Sequence, residues 1–196
     1  MIPAHSLILA SGSPRRSDLL AEAGFDFQVV KPDVEENEDG SVPIRELTAE
    51  NALLKASAVA ISHPDAVVLA ADTLVLLGDR VLTKPVDQPE ARRMLESLNG
   101  HSHQVFTAVA LIHRSSSREY CFTVSTDVFF KQLSADEMTA YHAKINPMDK
   151  AGAYAAQEHG ELIIDRIEGS MTNVIGLPMK KVMATLADTF GITPAV

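Results

Sequence analysis

Apolar residues at positions 44, 47, 54, 58 and 61 recur at the spacing of one helical face, which predicts a helix over residues 43–61. Asn51, Lys55 and Val59 form an adjoining row, so Lys55 stands beside the buried stripe. The unbroken apolar run VVLAADTLVLL at 67–77 reads as a strand, and Gly78-Asp79 turns it back into residues 80–83 as a hairpin. Upstream, a short apolar run at 7–10 meets Ser-Gly-Ser-Pro. It leads into a helix with Ser13 at the N-cap, Pro14 at the first helical position and Gly24 just past the end. Asp87 with Glu90, and Ser134 with Glu137, have capping-box spacing and open two more helices. Ala91, Met94, Leu95 and Leu98 line the first of these before Asn99-Gly100 stops it, and the second runs to about Lys144. Strands are expected at 105–112, 120–130 and 162–167, and a last helix from near Pro178 to Gly191. Interleaved strands and helices put the chain in the α/β class, and the hairpins make the sheet mixed.

No repeat or linker interrupts this order, and 196 residues suit one substantial core, as one compact domain or two small lobes. The least regular stretch, KPDVEENEDGSV at 31–42, reads as an acidic loop and not as a domain boundary. A formal net charge of −9 argues against a broad basic face for nucleic acid. It leaves room for a small anion held by a few focused cations, so the position of each cation is informative. The single cysteine, Cys121, excludes an internal disulfide and suits a reducing cytosol. No apolar stretch reaches the roughly 18 residues of a membrane span. The opening MIPAHSLILAS lacks a basic leader region, so no signal peptide is expected and the location expected is cytoplasmic.

Three groups of residues could carry chemistry. In Ser11-Gly12-Ser13-Pro14-Arg15-Arg16, two arginines occupy a first helical turn, where the dipole disfavours cations by roughly 0.3–1 kcal/mol each. A bound polyphosphate resolves that conflict, since amides, hydroxyls and guanidinium groups all donate to it; the alternative is that the arginines reach solvent or pair with Asp18 and Glu22. Asp72, followed by Thr73, lies inside an apolar strand, where a carboxylate needs a metal, a cation or water, unless it only caps a turn. Lys55, Lys84 and Lys150 stand among apolar or turn-forming neighbours and outside charge runs, and they matter jointly more than singly. The acidic loop 33–36 offers hard oxygen ligands of the kind Mg²⁺ or Mn²⁺ takes, although alone it reads as a solvated loop. His101-Ser102-His103 follows a helix stop without partners at zinc spacing and is taken as a surface turn. Cys121 is taken as packing.

The segments LASGSPRRSDL, AADTLV at 70–75, TKP at 83–85, DKAGAY at 149–154 and IEGSMTNVIGLP at 167–178 together resemble the Maf family of nucleotide pyrophosphatases, in order and over almost the whole chain. The resemblance implies a single Maf-like domain over residues 1–196. It further implies an elongated mixed sheet with flanking helices, two lobes around a cleft as in inosine triphosphate pyrophosphatases, and a homodimer. By position, Ser11, Arg15 and Arg16 match the phosphate-binding turn, Glu36 the acidic loop residue, Lys55 the lysine of the second helix and Asp72 the catalytic aspartate. Lys84 matches the lysine before the proline, and Asp149, Lys150 and Gln157 fall in the motif that separates substrate subgroups. Two departures are Thr83 before that lysine and Ala155-Ala156-Gln157-Glu158 in place of the commoner Gly-Ile-Gln-Gly.

The expected reaction is hydrolysis of dTTP and UTP between the α and β phosphates. Asp72, Lys55 and Lys84 would be catalytic, Ser11, Arg15, Arg16, Thr73, Lys150 and Gln157 would bind substrate, and Glu36 with Asp72 would hold a divalent metal, Mg²⁺ or Mn²⁺. The alternatives are a 7-methyl-GTP pyrophosphatase of the same family and a nucleotide-binding regulator of division with little turnover. Neither a nucleic-acid nor a membrane partner is expected.

Overall fold

A computed structural model of the chain describes residues 6–37 and 39–195. The amino-terminal stretch 1–5, which bears on the leader reading, and Glu38 of the acidic loop lie outside the described residues. The strands are β1 (Leu7–Leu9), β2 (Phe27–Val29), β3 (Val67–Leu77), β4 (Arg80–Leu82), β5 (Ser102–His113), β6 (Arg118–Phe130) and β7 (Ile164–Glu168). The helices are α1 (Pro14–Glu22), α2 (Ile44–Ala60), α3 (Gln88–Leu98), α4 (Ala135–His142), α5 (Gly160–Ile163), α6 (Met171–Ile175) and α7 (Met179–Thr185). The strands form one mixed sheet in the order β2-β1-β3-β5-β6-β7, with β4 on β3. β1 runs parallel to β2 and β3, while β3–β4 and β6–β7 are antiparallel, so the α/β class and the mixed sheet expected from the sequence are both present. No helix among the described residues is long and apolar enough to cross a membrane.

Contacts divide the chain into two compact units. The first comprises the described residues up to Asp72, Thr107–Val124 and the stretch from Gly176 onward. Its core is built from small side chains: Ala52, Ala56 and Ala60 of α2 meet Ile8, Val68, Ala70, Ala108 and Ala110 of the strands. Alanines on both surfaces bring the helix axis close to the sheet, and that closeness matters for the single lysine on the same face. The second unit comprises Thr73–Phe106 and Ser125–Ile175. Larger residues fill it, among them Leu82, Leu95, Leu98, Phe130, Tyr141, Tyr154 and Ile163.

Most helix ends follow their sequence signals. Gly24 takes φ +79° after α1, and Ser134 with Glu137 forms a complete reciprocal box at α4. Asp87 does accept from Glu90 N–H, but the Glu90 carboxylate accepts from Val86 N–H instead of closing the box. Ser13 stands at the N-cap of α1 without a side-chain capping bond. The closing helix α7 passes into one wider turn of π type at Leu186–Phe190 before Gly191.

Three expectations need correction. The buried face of α2 is Ile44, Leu47, Thr48, Asn51, Ala52, Lys55, Ala56, Val59 and Ala60, while Leu54 and Ile61 are exposed. Polar residues with partners occupy part of that face, so apolar spacing alone placed it one row away. His103 is not in a surface turn: the turn is completed by residues 99–101, and His103 lies buried in β5 against the rings of Phe130 and Tyr154. The strand expected at 162–167 begins only at Ile164, because α5 occupies the preceding turn. Finally, β2 and α6 had no sequence expectation at all.

Candidate functional site

Lys55 is the centre of the first unit's polar cluster. Along β3, Val68 and Ala70 face α2, and the two-residue period of a strand puts Asp72 on that same face. The lysine ammonium donates to Asp72 Oδ1 at 2.8 Å and to Glu36 Oε2 at 2.7 Å. Lys55 and Asp72 are buried, whereas the Glu36 side chain retains 36% of its exposure. Glu36 is held in place from α2 as well. One turn before Lys55, Asn51 accepts from Asn37 N–H at 2.8 Å and donates to Asn37 C=O at 2.9 Å, pairing both backbone groups of the residue after Glu36. Asn51, which the sequence marked only as a neighbour of Lys55, is therefore what fixes the acidic loop on the helix.

Asp72 Oδ2 is buried and has no hydrogen-bond partner among the described residues. A buried carboxylate oxygen left in this state costs free energy, and such orphans in native structures point to an ion, a water or a ligand. Glu36 and Asp72 give hard carboxylate oxygens of the kind that a Mg²⁺-like ion takes. No group of three His, Cys, Asp or Glu side chains gathers among the described residues.

The α1 turn adds cations to the same unit. Ser11 is buried; its hydroxyl accepts from Ser13 N–H at 3.1 Å and from Arg16 Nη1 at 3.3 Å. Arg16 also donates from Nε to Gly176 C=O at 3.0 Å, which aims the guanidinium across the turn instead of out along the helix. Burial pushes the Arg16 guanidinium down from its ordinary value, opposed by the Asp72 and Glu36 carboxylates and reinforced by Arg15. At any working pH it stays charged. Arg16 thus shares an electrostatic neighbourhood with the carboxylates that hold Lys55, and the first turn of α1 contains no acidic residue.

In the second unit, Lys150 is buried, with Nζ donating to Asn146 C=O and to Asp149 Oδ1, both at 2.9 Å. Glu158 Oε1 lies 3.7 Å from the same ammonium and accepts from Gln157 Nε2 at 3.2 Å. Gln157 and Glu158 are exposed. Tyr141 of α4 anchors this loop from below: its hydroxyl donates to Ala155 C=O at 3.0 Å and accepts from Ala155 N–H at 2.9 Å. Gly152 takes φ +71° and Ala153 φ +58°, a left-handed pair that only glycine adopts without strain at its first position. Lys84 is exposed, and Thr73, half-buried, directly follows Asp72 where the chain passes from the first unit to the second.

Residues 6–189 match the model of the family described as Maf-like protein. This chain belongs to that family. A relative from Akkermansia muciniphila named dTTP/UTP pyrophosphatase is 47% identical over 186 residues, covering 95% of this chain and 96% of its own. One of the same name from Vibrio parahaemolyticus is 45% identical over 175 residues, covering 89% and 92%, and one from Desulforamulus reducens is 41% identical over 186 residues, covering 95% and 97%. A solved HAM1 protein from Coxiella burnetii is similar at a TM-score of 0.44 and 16% identity, over 64% of this chain and 73% of that one. In this Maf-like chain, then, Ser11, Arg16, Glu36, Lys55 and Asp72 come together in one unit, and Lys150 and Gln157 come together through Glu158 in the other. The sequence singled out Glu158 only as a departure from the family pattern. Nothing in the apolar periodicity marked Asn51 or Tyr141 as supports, because their roles lie in bonds to backbone atoms far along the chain.

Proposed function

We propose that this Maf-like chain hydrolyses dTTP and UTP to the nucleoside monophosphate and pyrophosphate. The observation that carries the reading is the buried Asp72 carboxylate, one oxygen tied to Lys55 and the other open, beside an arginine-bearing helix turn. Relatives 41–47% identical over nearly the whole chain bear the name dTTP/UTP pyrophosphatase, and this supports the substrate class.

Asp72 and Glu36 would hold the divalent cation, Mg²⁺ or Mn²⁺, which when bound supplies Lewis-acid neutralisation of phosphate oxygens. The chain's own groups supply the rest. The open Asp72 oxygen accepts a proton of the attacking water and orients its lone pair at the α phosphorus. Lys55, fixed by two carboxylates, keeps Asp72 in place and presents its remaining N–H to a phosphate oxygen. Arg15, Arg16 and the Ser11 turn take the phosphate tail, so that charge developing on the departing pyrophosphate meets preorganised donors. The α-phosphorus–oxygen bond to the β phosphate breaks as the bond to water forms, and the water's proton leaves through the carboxylate.

Base choice falls to Gln157 and Lys150. A primary amide offers one acceptor and one donor edge, matching the adjacent N3–H and O4 of uracil and thymine. The reading is tested with a substrate panel: kcat/KM for UTP and dTTP is expected to exceed that for 7-methyl-GTP and ATP by tenfold or more, about the value of one buried polar mismatch. A 7-methyl-GTP value equal to or above that for UTP overturns the substrate assignment.

A further inference from the structure

Glu158 stands where the commoner family pattern has glycine, and its placement gives it a definite electrostatic effect on its neighbour. A carboxylate only accepts hydrogen bonds, so the amide oxygen of Gln157 cannot face it, and the 3.2 Å contact requires the amide nitrogen on that side. The Glu158 oxygen that takes this bond is the one 3.7 Å from the buried Lys150 ammonium. Lys150 in turn is fixed by Asn146 and Asp149, and Tyr141 grips the backbone at Ala155 on the way to Gln157. The orientation of the exposed Gln157 amide is thus referred back to a buried charge.

We propose that Glu158 is a positioning residue that locks the Gln157 amide in the orientation that accepts from uracil or thymine N3–H, and that this lock is what rejects cytosine. Uracil presents a donor at N3 beside an acceptor at position 4; cytosine presents an acceptor at N3 beside an amino donor. The two patterns are inverse, and a freely turning amide matches either by rotating half a turn about its last side-chain bond. Held by Glu158, it matches only the first. The inference rests on the reading that Gln157 meets the base, and it goes beyond it by assigning pyrimidine discrimination to the neighbouring carboxylate.

The test compares kcat/KM for UTP and CTP in the unmodified protein, Glu158→Gln, Glu158→Ala and Gln157→Ala, with a thermal melt of each. Glutamine at 158 both donates and accepts, so it tolerates either amide orientation, and alanine offers no partner at all. Both Glu158 variants are expected to shift the UTP:CTP ratio about tenfold toward CTP, chiefly through a gain for CTP, the scale of one mismatched hydrogen bond. A purely structural role would lower both substrates together and leave the ratio alone; that result overturns the proposal. If Gln157→Ala collapses the ratio while the Glu158 variants keep it, the lock is wrong and the base contact stands. If none of the variants changes the ratio, the base contact itself is wrong and the lock falls with it.

Discussion

Replacing Lys55 by methionine keeps the apolar stem of the side chain and removes the ammonium that donates to both Asp72 and Glu36. In the unmodified protein the ammonium lies 2.8 Å from Asp72 Oδ1 and 2.7 Å from Glu36 Oε2. Breaking a fully buried pair by deleting one partner costs about 3–5 kcal/mol, because the other charge is left without compensation. Asp72 comes near that condition, its second oxygen lacking a hydrogen-bond partner among the described residues, and Arg16 acting on it through space holds the loss at the low end of that range. Glu36 does not: with 36% of its side chain exposed, water screens it and its share falls below about 1 kcal/mol. The expected loss is therefore about 3 kcal/mol. For a chain of this size that lowers Tm by about 6–12 °C. The assay is thermal and urea unfolding near neutral pH with a chelator present, on Lys55→Met, Asp72→Asn and the double variant. Asparagine at 72 carries no charge to strand, so the double variant is expected to regain most of the loss, with a coupling of about 2–3 kcal/mol between the two positions. A methionine variant as stable as the unmodified protein, or a coupling near zero, refutes the claim that Lys55 neutralises a buried carboxylate.

Asp72→Asn is expected to keep the fold and lose two orders of magnitude or more in kcat, as follows from removing a proton acceptor and metal ligand; steady-state UTP hydrolysis beside a melt checks both halves. Arg15→Ala is expected to lose turnover with Tm unchanged or raised slightly, since it relieves a cation at a helix N-terminus; a clear fall in Tm with unchanged kinetics contradicts the phosphate role. Burial pushes the His103 imidazole down to about 4 from its ordinary 6.5. Between those values an unfolded chain takes up a proton that the folded chain refuses, so stability falls as pH drops through the window, by about 3 kcal/mol in all, and His103→Gln is expected to remove that part of the pH slope in urea titrations.

The signals that were legible in the sequence are those made by local chemistry. Ser-Gly-Ser-Pro before α1, Gly24 after it and the Ser134–Glu137 box each act within four residues, and each defines a helix end in the structure. Asp72 was legible for a related reason, being the sole charge in an eleven-residue apolar strand. What stayed hidden depends on partners far away in sequence. Lys55, Asn51 and Thr48 lie on the buried face of α2, where apolar periodicity expects no polar residue, and their burial is tolerable only because Asp72, Glu36, the Asn37 backbone and the Ile44 carbonyl satisfy them. His103 looked like part of a turn because Asn99-Gly100 does stop α3; its burial follows from Phe130 and Tyr154, residues 27 and 51 positions further on. β2 is three residues paired along β1 at one end of the sheet order, too short for any alternation to register.

Hydrolysis of UTP in ¹⁸O-labelled water, followed by phosphorus NMR with mass analysis of the products, locates the phosphorus that water attacks. Attack at the α phosphorus with loss of pyrophosphate gives UMP carrying the label together with unlabelled pyrophosphate, the expected result. Label in the pyrophosphate would move the attack to the β phosphorus, and UDP with labelled orthophosphate would make the protein a γ-cleaving phosphatase; either result rules out attack at the α phosphorus.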